Sequence, residues 1–392
     1  MKLEGIRVVD LSRFLPGPML TQFMADHGAE VVKVESVDEG EPTRAVGEMR
    51  DGVSVFFANT NRGKKSLALD LKHPAGVEAL MRLAEASDVL VESFRPGVAD
   101  RLGVGYAQIA ARAPHIVYAS ISAFGQSGPR RGLAAHDLAI EAIAGVLSIT
   151  HGQDGKPAIP GLPAADMTSS MIALAGVLMA LLRRRETGRG DYLDVAMADA
   201  LLACIPNNLG PAMAQRRQPD VGQSRSLGGN ALYALYETRD GGWIALGGQE
   251  PKFVVNLFTA LGRTDLIAVA QQPPGGEQEP ARQFLRETFL AKSRDEWAAF
   301  FAGRDVPFAP VQTLPEVLDD PHFRARGTVA TDARGWDHVA NPIRFADEPA
   351  RVEFDAPTLG QQTREVLRSI GYTDDEIAWL KEEGVVRDRS IE

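Results

Sequence analysis

At 392 residues the chain is longer than one ordinary hydrophobic core supports, and at roughly 150 residues per domain it predicts two domains. Apolar residues at 44% and charged residues at 24% exclude disorder and a fibrous repeat, and a formal charge of -10 disfavours a general nucleic-acid binder. The single cysteine, Cys204, excludes an intrachain disulfide and a multi-cysteine zinc site, and it reads as a small buried apolar residue.

The first segment, MKLEGIRVVDLSRF, carries Glu4 and Asp10 in place of a long apolar stretch, so no secretory signal is expected and the expected location is cytoplasmic. β-Branched runs then alternate with helix-patterned stretches: Ile6 to Leu11, Glu30 to Glu35, Ser66 to Leu71, Asp88 to Phe94 and Ile116 to Phe124. This alternation predicts an α/β fold on a parallel sheet. Residues 75–86 read as one of the intervening helices, with apolar Val77, Leu80, Leu83 and Ala84 at helical spacing. The first strand runs into DLSRFLPGPML, without GxGxxG, and no GxxxxGK[ST] occurs, so NAD, FAD and ATP have no anchor.

The apolar run from Met171 to Leu182 falls short of the roughly 20 residues that cross a bilayer and is followed by Arg183, Arg184 and Arg185. It reads as a buried helix, and no membrane partner is expected. From QSRSLGGNALYALYETRDGGWIALGG onward the composition changes, with Asp240-Gly241 as a hairpin turn opening a second domain. Residues 272–281 read as an exposed loop. The tail reads as two short helices, the first ended by Gly371 and the second opened by a capping box at Thr373 to Glu376.

Several residues could carry chemistry. Asp166 stands just before the apolar helix, where an aspartate caps free N–H groups; the same place can hold a base or nucleophile beside donors for an oxyanion. His136 sits at another loop-to-helix junction, and Asp137 beside it points elsewhere, because consecutive side chains at a helix start diverge. Glu250, after a strand of the second domain, is either a solvated loop acid or the group that orients His136. Arg62, Lys64, Lys65 and Lys72 cluster against one acid, Asp70, and with Arg95 and Arg101 could form a phosphate-binding mouth. No metal site is expected.

Taken together, RVVDLSRFLPGPMLTQFMADHGAEVVKVE, NRGKKSLALDLK, ESFRPGVADRLGVGY, ISAFGQSGP, RRRETGRGDYLDVAMADALL and VPFAPVQTLPEVLDDPHFRARG resemble the family III coenzyme A transferases (CaiB/BaiF) along essentially the whole chain. The resemblance implies a large Rossmann-like domain of residues 1–196 and 345–392, a smaller α+β domain of residues 226–325, linkers at 197–225 and 326–344, and an interlocked homodimer. It implies that coenzyme A, bound as part of an acyl-CoA substrate with no further cofactor, lies along Leu15, Pro16, Arg62, Leu69, Asp70, Leu71, Lys72, Ser93, Phe94, Arg95 and Arg101.

In the transferases of this family the aspartate matching Asp166 is a nucleophile. In the α-methylacyl-CoA racemases it is one of two bases, the other being the histidine of a His-Asp pair supported by a glutamate in an EPxF segment. His136-Asp137 and Glu250-Pro251-Lys252-Phe253 match both features, although GLPAAD and NRGKKS follow the transferase pattern. The expectation is therefore a 2-methylacyl-CoA racemase. The alternatives are CoA transfer through an aspartyl-CoA thioester, and a non-catalytic CoA-binding protein. Residues Leu232 to Tyr236 are expected to contribute to the acyl pocket.

Overall fold

Short apolar runs, most of them containing valine, form the strands of a seven-stranded sheet in the computed structural model, which describes residues 1–388. In chain order they are β1 (Arg7–Asp10), β2 (Glu30–Glu35), β3 (Lys65–Leu69), β4 (Val89–Glu92), β5 (Val117–Ser122) and β6 (Tyr192–Ala196), completed by the tail strand Val386–Arg387. The spatial order is tail strand, β3, β2, β1, β4, β5, β6. All neighbours pair in parallel except the tail strand, which runs antiparallel to β3. β4 and β5 are buried at every position, as expected of strands covered on both faces. The sequence places five of these strands to within two residues at each end; β6 and the tail strand were not foreseen as strands.

The helices that matter for the site are α1 (Pro16–Asp26), α2 (Pro74–Glu85), α3 (Asp137–Ile143), α4 (Ala164–Thr187) and α5 (Met197–Ala203). α4 is much longer than the apolar run from Met171 to Leu182 that announced it. By length and hydropathy it meets the measure of a bilayer span, yet its inward residues Ala173, Leu174, Val177 and Leu181 are buried in the protein. Its other side is exposed at Ile172, Leu178, Met179 and Leu182, so the helix is half-buried, not buried as expected. Arg184 at its C-terminal end pairs with Asp88 at 2.6 Å, where a cation suits the negative pole of the helix. The tail matches its reading: Gly371 adopts φ 91° after the helix Thr363–Ser369, and Thr373 and Glu376 form a complete capping box.

By internal contacts the chain forms two units, one of the described residues of Met1–Ala144, Pro160–Cys204 and Pro321–Glu392, the other of Gly145–Ile159 and Ile205–Asp320. Residues 145–159 thus group with the second unit, and 197–204 and 326–344 with the first. The core of the first unit gathers Val9, Val32, Leu67, Leu90 and Tyr118 around the sheet. The second unit has its own three-stranded antiparallel sheet, Phe308–Pro310, Trp243–Gly247 and Tyr233–Glu237, with the expected hairpin at Asp240-Gly241. Its core is aromatic, built on Tyr236, Phe258, Phe289, Trp297 and Phe301. Leu232 and Tyr236 belong to that core, while Tyr233 and Leu235 are exposed, so the expected acyl-pocket surface reduces to the latter two. The loop read at 272–281 ends early, because a helix starts at Glu279. Cys204, expected to be buried, is exposed.

Candidate active site

An open parallel sheet offers a crevice where the strand order reverses, at the carboxyl ends of the strands. Here the reversal falls between β1 and β4, and the loops that leave them meet. The Arg13 N–H donates to the Ser93 hydroxyl at 2.9 Å, and the Phe14 N–H donates to Glu41 Oε1 at 2.8 Å. Phe14 has φ 63°, a left-handed conformation unusual for a bulky residue and characteristic of a backbone held by its surroundings. α1 starts so close beneath this loop that a Cβ on Gly17 would lie 2.1 Å from Ser12 Cβ. Of its first three residues only Gly17 has an N–H, which leaves little for a pyrophosphate to bind.

The loop rests on a buried charge cluster. Asp10, Lys33 and Lys64 have fully buried side chains; Lys64 Nζ lies 3.0 Å from Asp10 Oδ2, and Lys33 Nζ is 3.6 Å from Oδ1 while donating to the Ser12 carbonyl. Burial alone would raise the Asp10 carboxyl, but the two ammonium groups and the Ser12 and Thr21 hydroxyls hold it well below the usual carboxylate range. Burial also lowers Lys64 to about 8, against the attraction of Asp10.

This overturns part of the phosphate-mouth expectation. Lys64 is sealed in the core, and Arg62 is buried in an ion pair with Asp26 at 3.0 Å. Lys65 pairs with Glu30 and Glu365. Leu69 is a core residue, Leu71 packs against the core, and the Asp70 carboxylate accepts the Lys72 N–H at 2.9 Å. Lys72, Arg95 and Arg101 are exposed at or after the carboxyl ends of β3 and β4.

Above the β1–β4 crevice lies a cavity of about 420 Å³, a size typical of small-molecule sites. Pro16, Ser93, Phe94 and Arg95 from the expected coenzyme set line it, together with His136 and Asp166. Leu15 stands between two lining residues, Phe14 and Pro16. His136 is exposed at the N-cap of α3, and its ring meets the edge of Phe14 with centroids 5.8 Å apart. Arg13, Ser122, Arg131 and Met197 also line the cavity and were not singled out from the sequence.

Asp166 is not the cap of α4, as one sequence reading had it. It is the third helical residue, after Pro163, Ala164 and Ala165. The cap comes from α3: Asp137 Oδ1 accepts the N–H groups of Ala165 at 2.8 Å and Asp166 at 3.0 Å, and Glu141 Oε1 accepts that of Ala164 at 3.0 Å. The helix start is therefore occupied, and the expectation that it receives an oxyanion is corrected. The Asp137 carboxylate is thereby committed to α4. Burial first, and then the neighbouring carboxyl groups of Asp137 and Glu141, push the Asp166 carboxyl up to about 7. The helix pole would have lowered it.

Glu141 was missed in the sequence, though a signal was present: it lies four residues after Asp137, on the same helix face, within an otherwise apolar segment. Glu250 belongs to the second unit, where it is exposed at the N-cap of the helix Pro251–Ala260 and accepts the Gln249 N–H at 3.0 Å. Among the described residues no three His, Cys, Asp or Glu side chains group as metal ligands.

The chain matches the family described as CoA-transferase family III over residues 3–363. It is 32% identical to the alpha-methylacyl-CoA racemase of Homo sapiens over 100% of this chain and 99% of that protein. It is 30% identical to the succinyl-CoA:glutarate CoA-transferase of Homo sapiens, covering 98% of this chain and 90% of the other. The crystal structure of a CAIB/BAIF family protein from Brucella suis superposes with a TM-score of 0.81 at 30% identity, covering 94% of this chain and 99% of that one. A match of this extent, on a fold whose switch-point cavity holds Asp166, identifies the chain as a member of CoA-transferase family III.

Proposed function

We propose that this family III enzyme epimerises 2-methyl-branched acyl-CoA thioesters by 1,1-proton transfer. The observation that carries the reading is the presence of His136 and Asp166, a base on each of two different helix starts, in one cavity. Inversion needs one group to take the α-proton from one face and another to return it on the opposite face. A carboxyl near 7 suits both halves of that exchange, since Asp166 is available both as carboxylate and as acid near neutral pH. The enantiomer that binds decides which of the two groups acts first.

With the start of α4 capped, the enolate oxygen is assigned to other groups in the cavity: Ser122, whose buried hydroxyl has no protein partner, and the guanidinium groups of Arg13 and Arg131. Glu250 is assigned the support of His136, on the strength of its EPxF context. The coenzyme phosphates are assigned to the exposed cations Lys72, Arg95 and Arg101. The coenzyme arrives with the substrate, and the chemistry asks for no metal or redox group. We place the enzyme in the cytoplasm as a homodimer; the exposed apolar side of α4 supports a second copy as partner.

CoA transfer is the second reading, favoured by the similar identity to a CoA-transferase and by GLPAAD before Asp166. There the Asp166 carboxylate attacks the thioester carbonyl and expels the CoA thiolate, giving a mixed anhydride; the thiolate then attacks the aspartyl carbonyl, releasing the first acid as its carboxylate and leaving an aspartyl-CoA thioester that the acceptor acid resolves. A non-catalytic CoA-binding protein is the third.

The deciding experiment follows a single-enantiomer 2-methylacyl-CoA by NMR in D2O without an acceptor acid. The racemase loses the α-proton signal with inversion; Asp166→Ala abolishes this and His136→Ala cripples it. Absence of exchange across several chain lengths, with a hydroxylamine-trappable acyl-enzyme, overturns the racemase in favour of the transferase. Tight CoA binding with neither reaction leaves the third reading.

A further inference from the structure

The start of α4 brings three carboxyl groups together, and one of them has no evident reason to be charged. Glu141 is 0% exposed. Its Oε1 accepts the Ala164 N–H, its Oε2 receives no hydrogen bond, and its carboxyl lies beside that of Asp137, which stands four residues earlier on the same face of α3 and accepts the next N–H of α4, that of Ala165. Asp137 already accepts two N–H groups through Oδ1. Two carboxylates in contact with no donor between them repel, whereas one proton makes the contact a hydrogen bond.

We propose that Glu141 is a positioning residue for Asp166, held as the neutral acid with its O–H donated to Asp137, so that Asp137 alone carries the negative charge fixed on the start of α4. Asp137 then holds the Ala165 and Asp166 N–H groups as a charge-assisted cap, and the orientation of the Asp166 backbone follows from it. Burial acts in the same direction, raising the Glu141 carboxyl; the Ala164 N–H opposes this and Asp137 adds to it. The helices packed against α3 supply no compensating cation near this contact. α4 contributes Asp166, and α5 carries a single titratable residue, Asp199, which is exposed. His136 stands at the head of α3 on the cavity side.

The inference rests on Asp166 being the reacting carboxyl, but its first test does not depend on activity. Infrared spectra of the whole protein are recorded at about pH 8.5, where Asp166 at about 7 is largely ionised. Wild type is expected to show a protonated-carboxyl C=O band that Asp166→Asn retains and Glu141→Gln loses. In Asp137→Asn the band should move to higher frequency, because the acid has lost its charged acceptor. Absence of the band in wild type, or its persistence in Glu141→Gln, overturns the proposal whatever the enzyme catalyses.

The second test is the pH profile of whichever reaction the enzyme performs. Glu141→Gln keeps a neutral donor, so the acid limb should stay where wild type has it. Glu141→Leu removes donor and acceptor and should lower kcat about tenfold with KM near the wild-type value. An acid limb displaced downward by about one unit or more in Glu141→Gln would mean that a charge had been removed, and would overturn the neutral acid.

Discussion

Asp166→Asn is expected to make the protein more stable at high pH while it destroys catalysis. The folded protein raises the Asp166 carboxyl from 3.8 to about 7. Between those values the folded state keeps a proton that the unfolded chain releases, so stability falls as pH rises through this window and levels off above about 7. A shift of roughly three units corresponds to an upper bound of about 4 kcal/mol, at 1.36 kcal/mol per unit. About two of those units lie between pH 5 and pH 7, and solvent screening at a partly exposed side chain leaves about 1.5 kcal/mol as the expected difference. Asparagine keeps the backbone N–H that Asp137 accepts, and loses only the weak attraction of an N-terminal charge to the helix pole, about 0.5 kcal/mol. The assay is urea unfolding of both proteins at about pH 5 and about pH 8.5, at one protomer concentration, reading the midpoints at constant slope. The substitution should gain about 1.5 kcal/mol over wild type on going from the lower to the higher pH. An equal difference at the two pH values, or a loss at the higher one, would refute the argument that burial and the neighbouring α3 carboxyl groups have raised this group.

Lys64→Met, which removes one of the two cations on the fully buried Asp10, should cost about 3–5 kcal/mol by urea unfolding at neutral pH, and a loss under 1 kcal/mol would contradict the account of the cluster. Phe14→Gly relieves a left-handed backbone worth about 1 kcal/mol that Phe14→Ala keeps. Thermal scans should therefore rank Gly above Ala, while both lower kcat through the lost ring contact with His136, which in stability terms is worth about 0.5–1.5 kcal/mol.

The sheet was legible because parallel strands buried on both faces are written as runs of β-branched residues, and α2 because its apolar residues recur at helical spacing. β6 was hidden by its own composition: YLDVA opens half-exposed and carries Asp194, so it lacks the run that announced the others. The tail strand has two residues, too few for any pattern. At the site, Asp166 and His136 were found because junctions between loops and helices are visible in sequence. What those junctions touch was not. Arg62 and Lys64 read as surface cations because sequence records charge, while their burial depends on Asp26 and Asp10, which lie 36 and 54 residues earlier in the chain. The same blindness to partners made α4 look like a free helix start, when two side chains from α3 occupy it.

That occupied helix start changes how the cavity can work. An empty helix N-terminus beside Asp166 would draw anions to the reacting end and hold the carboxylate ionised well below neutral pH. Asp137 and Glu141 remove the N–H donors, and Asp137 puts negative charge in their place, so the inner end of the cavity repels phosphate and Asp166 stays basic. Positive charge in the lining comes from Arg13, Arg95 and Arg131, all on loops and all exposed. Under the proposed function an acyl-CoA satisfies this polarity with its phosphates toward the exposed Lys72, Arg95 and Arg101 and its uncharged thioester toward Asp166. Reversing the ligand would set phosphate against the Asp137 carboxylate. The charge pattern therefore suits the binding direction that both the proposed racemase and a transferase require, and the proposed role of His136 is the test between them, because only proton return to the opposite face of the α-carbon needs a second base in the cavity.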